Sequence, residues 1–286
     1  MTDGAGLTAT CSFKVTVALT SIIGLDSISL SGNAVMDSYD STGGYPATKG
    51  SLANLLSNGT VTVAGSSKAF GNVRSTRVGV SVLGTSQVTG NATAGTTVTK
   101  GASAIIGGTI TNNLLAPVMT LPSVPACGPP YSPNSGISGT YSYNSTTGDL
   151  SLSGVNIATL ANGTYCFHNL TLTNSGQLKV NGPVTIKLTG TLNASGATSL
   201  TNTTAIPANL RILSSFSGSN GVTFSNGTSV YLLLYAPNTN VTNSGAAPLF
   251  GTIVGKTVTI SNSGMLHYDT RLKTNWPDIW SLILGP

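Results

Sequence analysis

Six times along this chain an aliphatic residue, a hydroxyl residue, a second apolar residue and a Ser, Thr or Ala run together into Gly or Asn. The six are Ile28-Ser-Leu-Ser-Gly32, Val61-Thr-Val-Ala-Gly65, Leu150-Ser-Leu-Ser-Gly154, Leu170-Thr-Leu-Thr-Asn174, Val222-Thr-Phe-Ser-Asn226 and Val258-Thr-Ile-Ser-Asn262. Alternation with period two describes a strand buried on one face. Asn and Gly accept the left-handed backbone of a tight corner. The spacing is nearly constant: Asn174 to Asn193, Val222 to Val241 and Asn243 to Asn262 are each 19 residues, and Val241 to Val258 is 17. This is too long for a hairpin arm and suits one coil of a β-solenoid, two or three short strands separated by corners. Asn at equivalent corners is placed to stack its amides from coil to coil. A β-sandwich also has a strand every ~8–12 residues, but it gives the longer self-similarity no place. The fold class expected is all-β, a β-solenoid of the parallel β-helix type.

Composition agrees. Only 7% of residues are charged, against ~25% in an ordinary globular chain. There are seven Asp and no Glu, so the chain lacks the usual helix-forming charged residues. Hydrophobic residues make up 40%, which excludes a disordered chain. The net charge of +5 comes from scarce acids. Lys and Arg are scattered rather than gathered into a stripe, so no nucleic-acid partner is expected. No apolar run approaches the ~20 residues of a membrane span. The start, Met1-Thr2-Asp3-Gly4, has neither the basic nor the apolar region of a signal peptide. The expectation is a surface protein whose leader has been removed.

Three segments follow. Residues 1–26 differ from the repeats and form a strand and turn packing on the solenoid, which spans 27–270. Six of the thirteen prolines lie within an excursion at 116–136. Proline removes donors that a central strand needs, so this segment reads as a linker between an N-terminal and a C-terminal array. The tail, 271–286, holds both tryptophans and is expected to cap the C-terminal end of the solenoid or to dock a partner. Cys127 and Cys166 flank a turn-rich stretch. A bridge between them would contribute roughly 4 kcal/mol on the chain-entropy estimate and leave Cys11 free, the alternative being three buried thiols.

Ser31-Gly-Asn-Ala-Val-Met-Asp-Ser-Tyr-Asp-Ser41, followed by Gly43-Gly-Tyr45, resembles the opening of a bacterial β-solenoid domain of undefined function. That domain is attached to pilus-assembly proteins of the PilX-like and TadE/TadG-like kinds. Later stretches are similar too: Asn162-Gly-Thr-Tyr-Cys-Phe167, Gly182-Pro-Val-Thr-Ile186, Tyr235-Ala-Pro-Asn238, Phe250-Gly-Thr-Ile-Val-Gly-Lys256 and His267-Tyr-Asp269. Residues 8–31 are similar to the strand that follows the membrane helix in TadE/TadG-like minor pilins. The resemblance implies an extracellular location, pilus subunits as partners, and a membrane contact only through an N-terminal helix absent from this chain.

Three groups of residues invite a chemical reading. Asp37 and Asp40, with Ser38 and Ser41, form the densest oxygen cluster, a start for a Ca²⁺ site if backbone carbonyls complete it. Otherwise they cap turn amides, and no other cofactor is expected. His267 and Asp269 share a strand face, with Tyr268 on the other. They form an acid–base pair or a structural one, with His168 a remote third member. Arg74 and Arg77 are either contacts for an acidic glycan or solvated loop charges. No Gly-x-Ser-x-Gly elbow occurs.

Two classes of function compete. One is a structural or adhesive module that displays or binds, with a surface glycan or protein as an alternative partner to pilus subunits. The other is a polysaccharide-active enzyme, which so few carboxylates make hard to assemble. No enzyme is expected. A self-polymerising solenoid is a third reading. An ice-binding one needs an even Thr array that the uneven Thr spacing does not offer.

Overall fold

The computed structural model describes residues 21–129, 131, 136–226 and 228–274, and over these the protein is all-β with two short 3-10 turns. Nearly every strand pair is parallel, and partners are close in sequence. Val61 pairs with Val80 and Val80 with Val98, while Leu150 pairs with Leu170 and Leu170 with Leu192. Each pass of about 19 residues lays down three strands and then steps up by one strand spacing. Ten such rungs, whose strands belong to one 24-stranded and one four-stranded sheet, present three faces around one core. Leu30, Val61, Leu152, Leu172, Ile186, Phe224 and Tyr268 are among the side chains filling it. The alternation seen in the repeats is the reason. In Leu170–Thr173, for example, both leucines are buried and both threonines look outward.

The corners use their Asn in a way that differs from amide stacking. Asn54 Oδ1 accepts the backbone N–H of Asn72, Asn72 Oδ1 that of Asn91, and Asn91 Oδ1 that of Thr109. Each side chain therefore satisfies a corner donor of the next rung. Asn174 and Asn262 hold the left-handed backbone expected of corner residues.

The order of rungs along the stack is not the order of the chain. Ser21–Leu30 lies mid-stack, between Pro248–Ile260 on one side and the strands Asn54–Ser57 and Thr60–Val63 on the other. Val35–Tyr39 likewise sits on Met265–Asp269. The described chain starts in the middle, climbs to Ile110–Thr111, returns to the bottom, and climbs again until Pro248–Ile260 and Met265–Asp269 meet Ser21–Leu30 and Val35–Tyr39. The expected boundary after residue 26 falls inside a continuous strand.

The Pro-rich segment makes the return. It leaves the upper rungs where Ala116 N–H donates to Thr76 O, and Met119 exchanges two hydrogen bonds with Asn58. It then passes Tyr235, whose hydroxyl donates to Pro122 O at 2.6 Å. Cys127 is disulfide-bonded to Cys166 near the bottom. Cys11 lies outside the described residues. The lengths agree: seven rungs separate Arg74 from Cys166, or ~34 Å at ~4.8 Å each. Eleven residue-to-residue steps from Ala116 to Cys127, advancing ~3.1 Å each as polyproline II, also span ~34 Å. A segment crossing strands at right angles has no ladder to join, so its missing proline donors cost nothing. The excursion is thus a strap along the stack rather than a linker between consecutive arrays.

This order also relocates the cap. Met265–Asp269 is covered by Val35–Tyr39, so the strand before the tail has no open edge for a tail to protect. Leu272 packs sideways with Ile23, Val124, Leu213, Leu233, Tyr235 and Val254 under the strap. The rest of the expected cap, 275–286, lies outside the described residues, as does the expected strand at 1–20. The bottom rung is instead covered by antiparallel strands, Ile137–Gly139 on Ile157–Leu160 and Ser142–Asn144 on Asp149–Ser153.

Candidate functional site

Each face of the stack is finished differently on its outside. The first face carries one uninterrupted column: Ser151, Thr171, Asn193, Thr223, Thr242, Thr259, Ser29, Thr62, Ser81 and Thr99 stand in register from bottom to top. Ten rungs at ~4.8 Å make a bare, uncharged strip ~43 Å long. Apart from the step from Thr259 to Ser29, where the two ends of the described chain meet, the intervals between its members range from 17 to 33 residues in sequence, because corners absorb insertions while the register holds. The column is thus evenly spaced along the stack although its spacing in sequence is uneven, but it mixes six Thr with three Ser and one Asn rather than forming a Thr array.

The second face is covered by the strap. Its outward column reads Cys166, Lys187, Leu213, Tyr235, Val254, Ile23, Leu56, Arg74, Thr93, Thr111 from bottom to top. The five apolar members belong to the cluster beneath the strap. Above Leu56 the column turns polar, and Arg74 lines an open cleft. Arg77 sits on the following turn, exposed and outside that cleft. The two arginines thus do not act as a pair.

The third face buries the charges. Asp37 and His267 lie directly side by side on adjacent parallel strands. His267 Nδ1–H donates to Asp37 Oδ1 at 2.5 Å, with both residues almost wholly buried. On Oδ2, Lys49 Nζ stands at 3.3 Å and the Tyr45 hydroxyl donates at 3.2 Å. Tyr45 and Phe250 pack against the imidazole, with ring centroids at 4.1 and 4.6 Å. Tyr45 and Lys49 come from the long turn 40–50, which folds over these strands. Both carboxylate oxygens are thus engaged by cationic or neutral donors.

This geometry revises three expectations. Asp37 and Asp40 do not form one oxygen site: Asp40 lies beyond the strand end, where its Oδ1 takes the N–H and hydroxyl of Thr42. Those bonds hold its carboxyl below the usual range. Among the described residues no three His, Cys, Asp or Glu side chains gather around a common point. His267 pairs with Asp37, 230 residues away, and not with Asp269. His168 is bonded to Thr189, well down the stack.

Asp269 lies on the same strand face as His267 and is buried, and its Oδ1 accepts the N–H groups of Ser41 and Arg271. Tyr268 points into the core. Burial raises the Asp269 carboxyl above the usual range, against those hydrogen bonds. The neutral form is then the one folding favours. The stability it contributes is complete below the ordinary carboxylate range and is lost as pH rises through its raised pKa. Asp269→Asn keeps the acceptor oxygen and carries no charge. At neutral pH its urea midpoint is expected to equal or exceed that of the wild type, and it should lack the loss of stability that the wild type shows as pH rises through the raised Asp269 pKa. A drop of several kcal/mol would instead mark the charged carboxylate as essential.

The fold defines an all-β protein of stacked parallel strands with one bare, one strapped and one charge-burying face. The chain belongs to the family described as Domain of unknown function (DUF7305), whose pattern matches residues 132–275, half of its length. No curated protein and no solved structure matches it. The match opens beside the bottom cap and closes after Leu272, so it takes in the lower half of the stack, including His267 but not Asp37. No helix among the described residues is long and apolar enough to cross a membrane.

Proposed function

We propose that the ten rungs are the coils of a β-solenoid serving as a structural or adhesive module on a bacterial surface, displaying or binding rather than catalysing. The observation that carries this reading is the uncharged hydroxyl column on the first face. An enzyme concentrates titratable groups in a groove and sets their pKa values apart. Here the longest exposed regular surface has none. The carboxylates of Asp37, Asp40 and Asp269 are engaged in holding turns and strands together. The disulfide favours an oxidising, extracellular setting. Attachment to a pilus rests on the likeness of the Ser31–Ser41 and His267–Asp269 stretches to pilus-associated domains.

The test places charge on the bare face. Thr62→Glu combined with Thr259→Glu is expected to abolish retention of the purified chain on cell surfaces or immobilised glycans while leaving its urea midpoint within ~0.5 kcal/mol. Release of sugar ends from any polysaccharide by the wild type, lost in His267→Ala, would overturn the reading in favour of an enzyme.

A second reading has its own observation. Among the described residues the top strands Val98–Lys100, Ile105–Ile106 and Ile110–Thr111 are paired on one edge only, and Ile105, Ile110, Leu114 and Leu115 are exposed there. Such an edge invites another strand. Because the bottom is covered, two copies would meet top to top and stop at a dimer. Ile110→Lys would dissolve that dimer in sedimentation experiments.

A further inference from the structure

We infer that the upper, unstrapped part of the second face is a binding cleft for an acidic polysaccharide, with Arg74 as its anion contact. This rests on the reading of the protein as a binding module and names a ligand class and a site for it. The cleft, about 330 Å³, runs across three rungs and is lined by Asn54, Asn72, Asn91, Leu56, Arg74 and Thr93. Arg74 Nε is shielded from solvent and has no hydrogen-bond partner among the described residues. Among the described residues no carboxylate lies within ion-pair distance of its guanidinium. A buried donor without an acceptor is costly and calls for a ligand or water to satisfy it.

The neighbours narrow the chemistry. Asn72 and Asn91 each use their side-chain oxygen on the backbone N–H of the next rung. That contact fixes the amide orientation and leaves the Nδ2 donors as the groups to offer. With the Thr93 hydroxyl and the guanidinium fork, the lining presents donors, one positive charge and no acid. Its complement is an anion rich in acceptor oxygens, which arginine engages through two parallel hydrogen bonds.

A polysaccharide fits this surface better than an acidic peptide. Peptides gain affinity by adding a strand to a free sheet edge. The Asn54–Ser57, Val73–Ser75 and Ala92–Ala94 strands have both edges paired. A sugar chain needs only the side-chain donors, repeated here once per rung along the axis. The same column supports this division of the face: from Leu213 to Leu56, under the strap, it is apolar, and above Leu56 it turns to Arg74, Thr93 and Thr111.

Polygalacturonate, its fully methyl-esterified form and polyglutamate serve as probes in affinity electrophoresis and titration calorimetry. Wild-type protein is expected to bind polygalacturonate and not the ester. Arg74→Ala should weaken that binding about tenfold or more, the loss of a charge-assisted hydrogen bond. Thr93→Glu should abolish it. Arg77→Ala removes the same charge outside the cleft and should leave affinity unchanged. Equal weakening by Arg77→Ala would reduce the effect to net charge and overturn the inference. So would equal binding of polyglutamate, or no binding of polygalacturonate by a folded wild type. If Arg74→Ala is silent while surface retention persists, the cleft fails and the binding module stands. If the wild type shortens polygalacturonate, the binding-module reading fails with it.

Discussion

Deleting Val118, Met119 and Thr120 from the strap is expected to leave a chain that cannot close on itself. The strap spans ~34 Å in the eleven residue-to-residue steps from Ala116 to Cys127. Eight steps reach ~29 Å even when fully extended. The shortened chain cannot hold its upper rungs on the Ser21–Leu30 strand and also fix Cys127 to Cys166. Its two halves still carry complementary strand edges, so pairing moves to a second copy, as in domain swapping. Light scattering after size exclusion should show the folded fraction shifted to dimers or larger species. Inserting Gly-Ser-Gly after Thr120 should leave the mass unchanged, since lengthening a surface loop costs little. A deletion variant with unaltered mass and urea midpoint would show that the strap is not under this geometric limit.

Asp37→Asn should give the largest effect of any single substitution on the third face, a loss of about 3 kcal/mol. The carboxylate is the common acceptor for His267, Lys49 and Tyr45 in a site without solvent. An amide there sets donor against donor and leaves buried groups unpaired. The lower end of the range for a broken buried pair is expected because Lys49 is 43% exposed and can swing into water. Asp40→Asn, at an exposed turn, should stay within ~0.5 kcal/mol. Urea unfolding of both variants at one pH makes the comparison. Equal midpoints would show that the buried carboxylate holds nothing together.

Much of the fold was legible because its rule is local. The alternation in Leu170–Thr173 states which side is buried, and the Asn-Ser-Gly corners state where the strand ends. What could not be read is the order in which rungs stack. Parallel pairing of Ile28 with Val258 has no local sign, since both strands look alike and alike to every other rung. The same blindness hid the site. Asp37 and His267 each stood in a motif singled out from the sequence, but only the seam where Val35–Tyr39 meets Met265–Asp269 brings them together. Arg74 and Arg77, close in sequence, were separated by the corner that follows Ser75. The hydroxyl column escaped notice because insertions of uneven length sit in its corners, and register rather than spacing aligns it.

The seam has a consequence for how such a chain changes over generations. Ile23 and Leu272 share one apolar cluster, so the described chain enters and leaves the stack at its waist, while both tips are made of internal sequence. An in-frame duplication of one rung near either tip would lengthen that arm without moving the waist at which the described chain enters and leaves the stack. An added rung above Thr76 would leave the strap's span unaltered, whereas one added between the waist and Cys166 would demand one or two further strap residues. Variation in length among relatives should therefore concentrate in the upper arm, and any gain in the lower arm should be matched by a longer Pro-rich crossing.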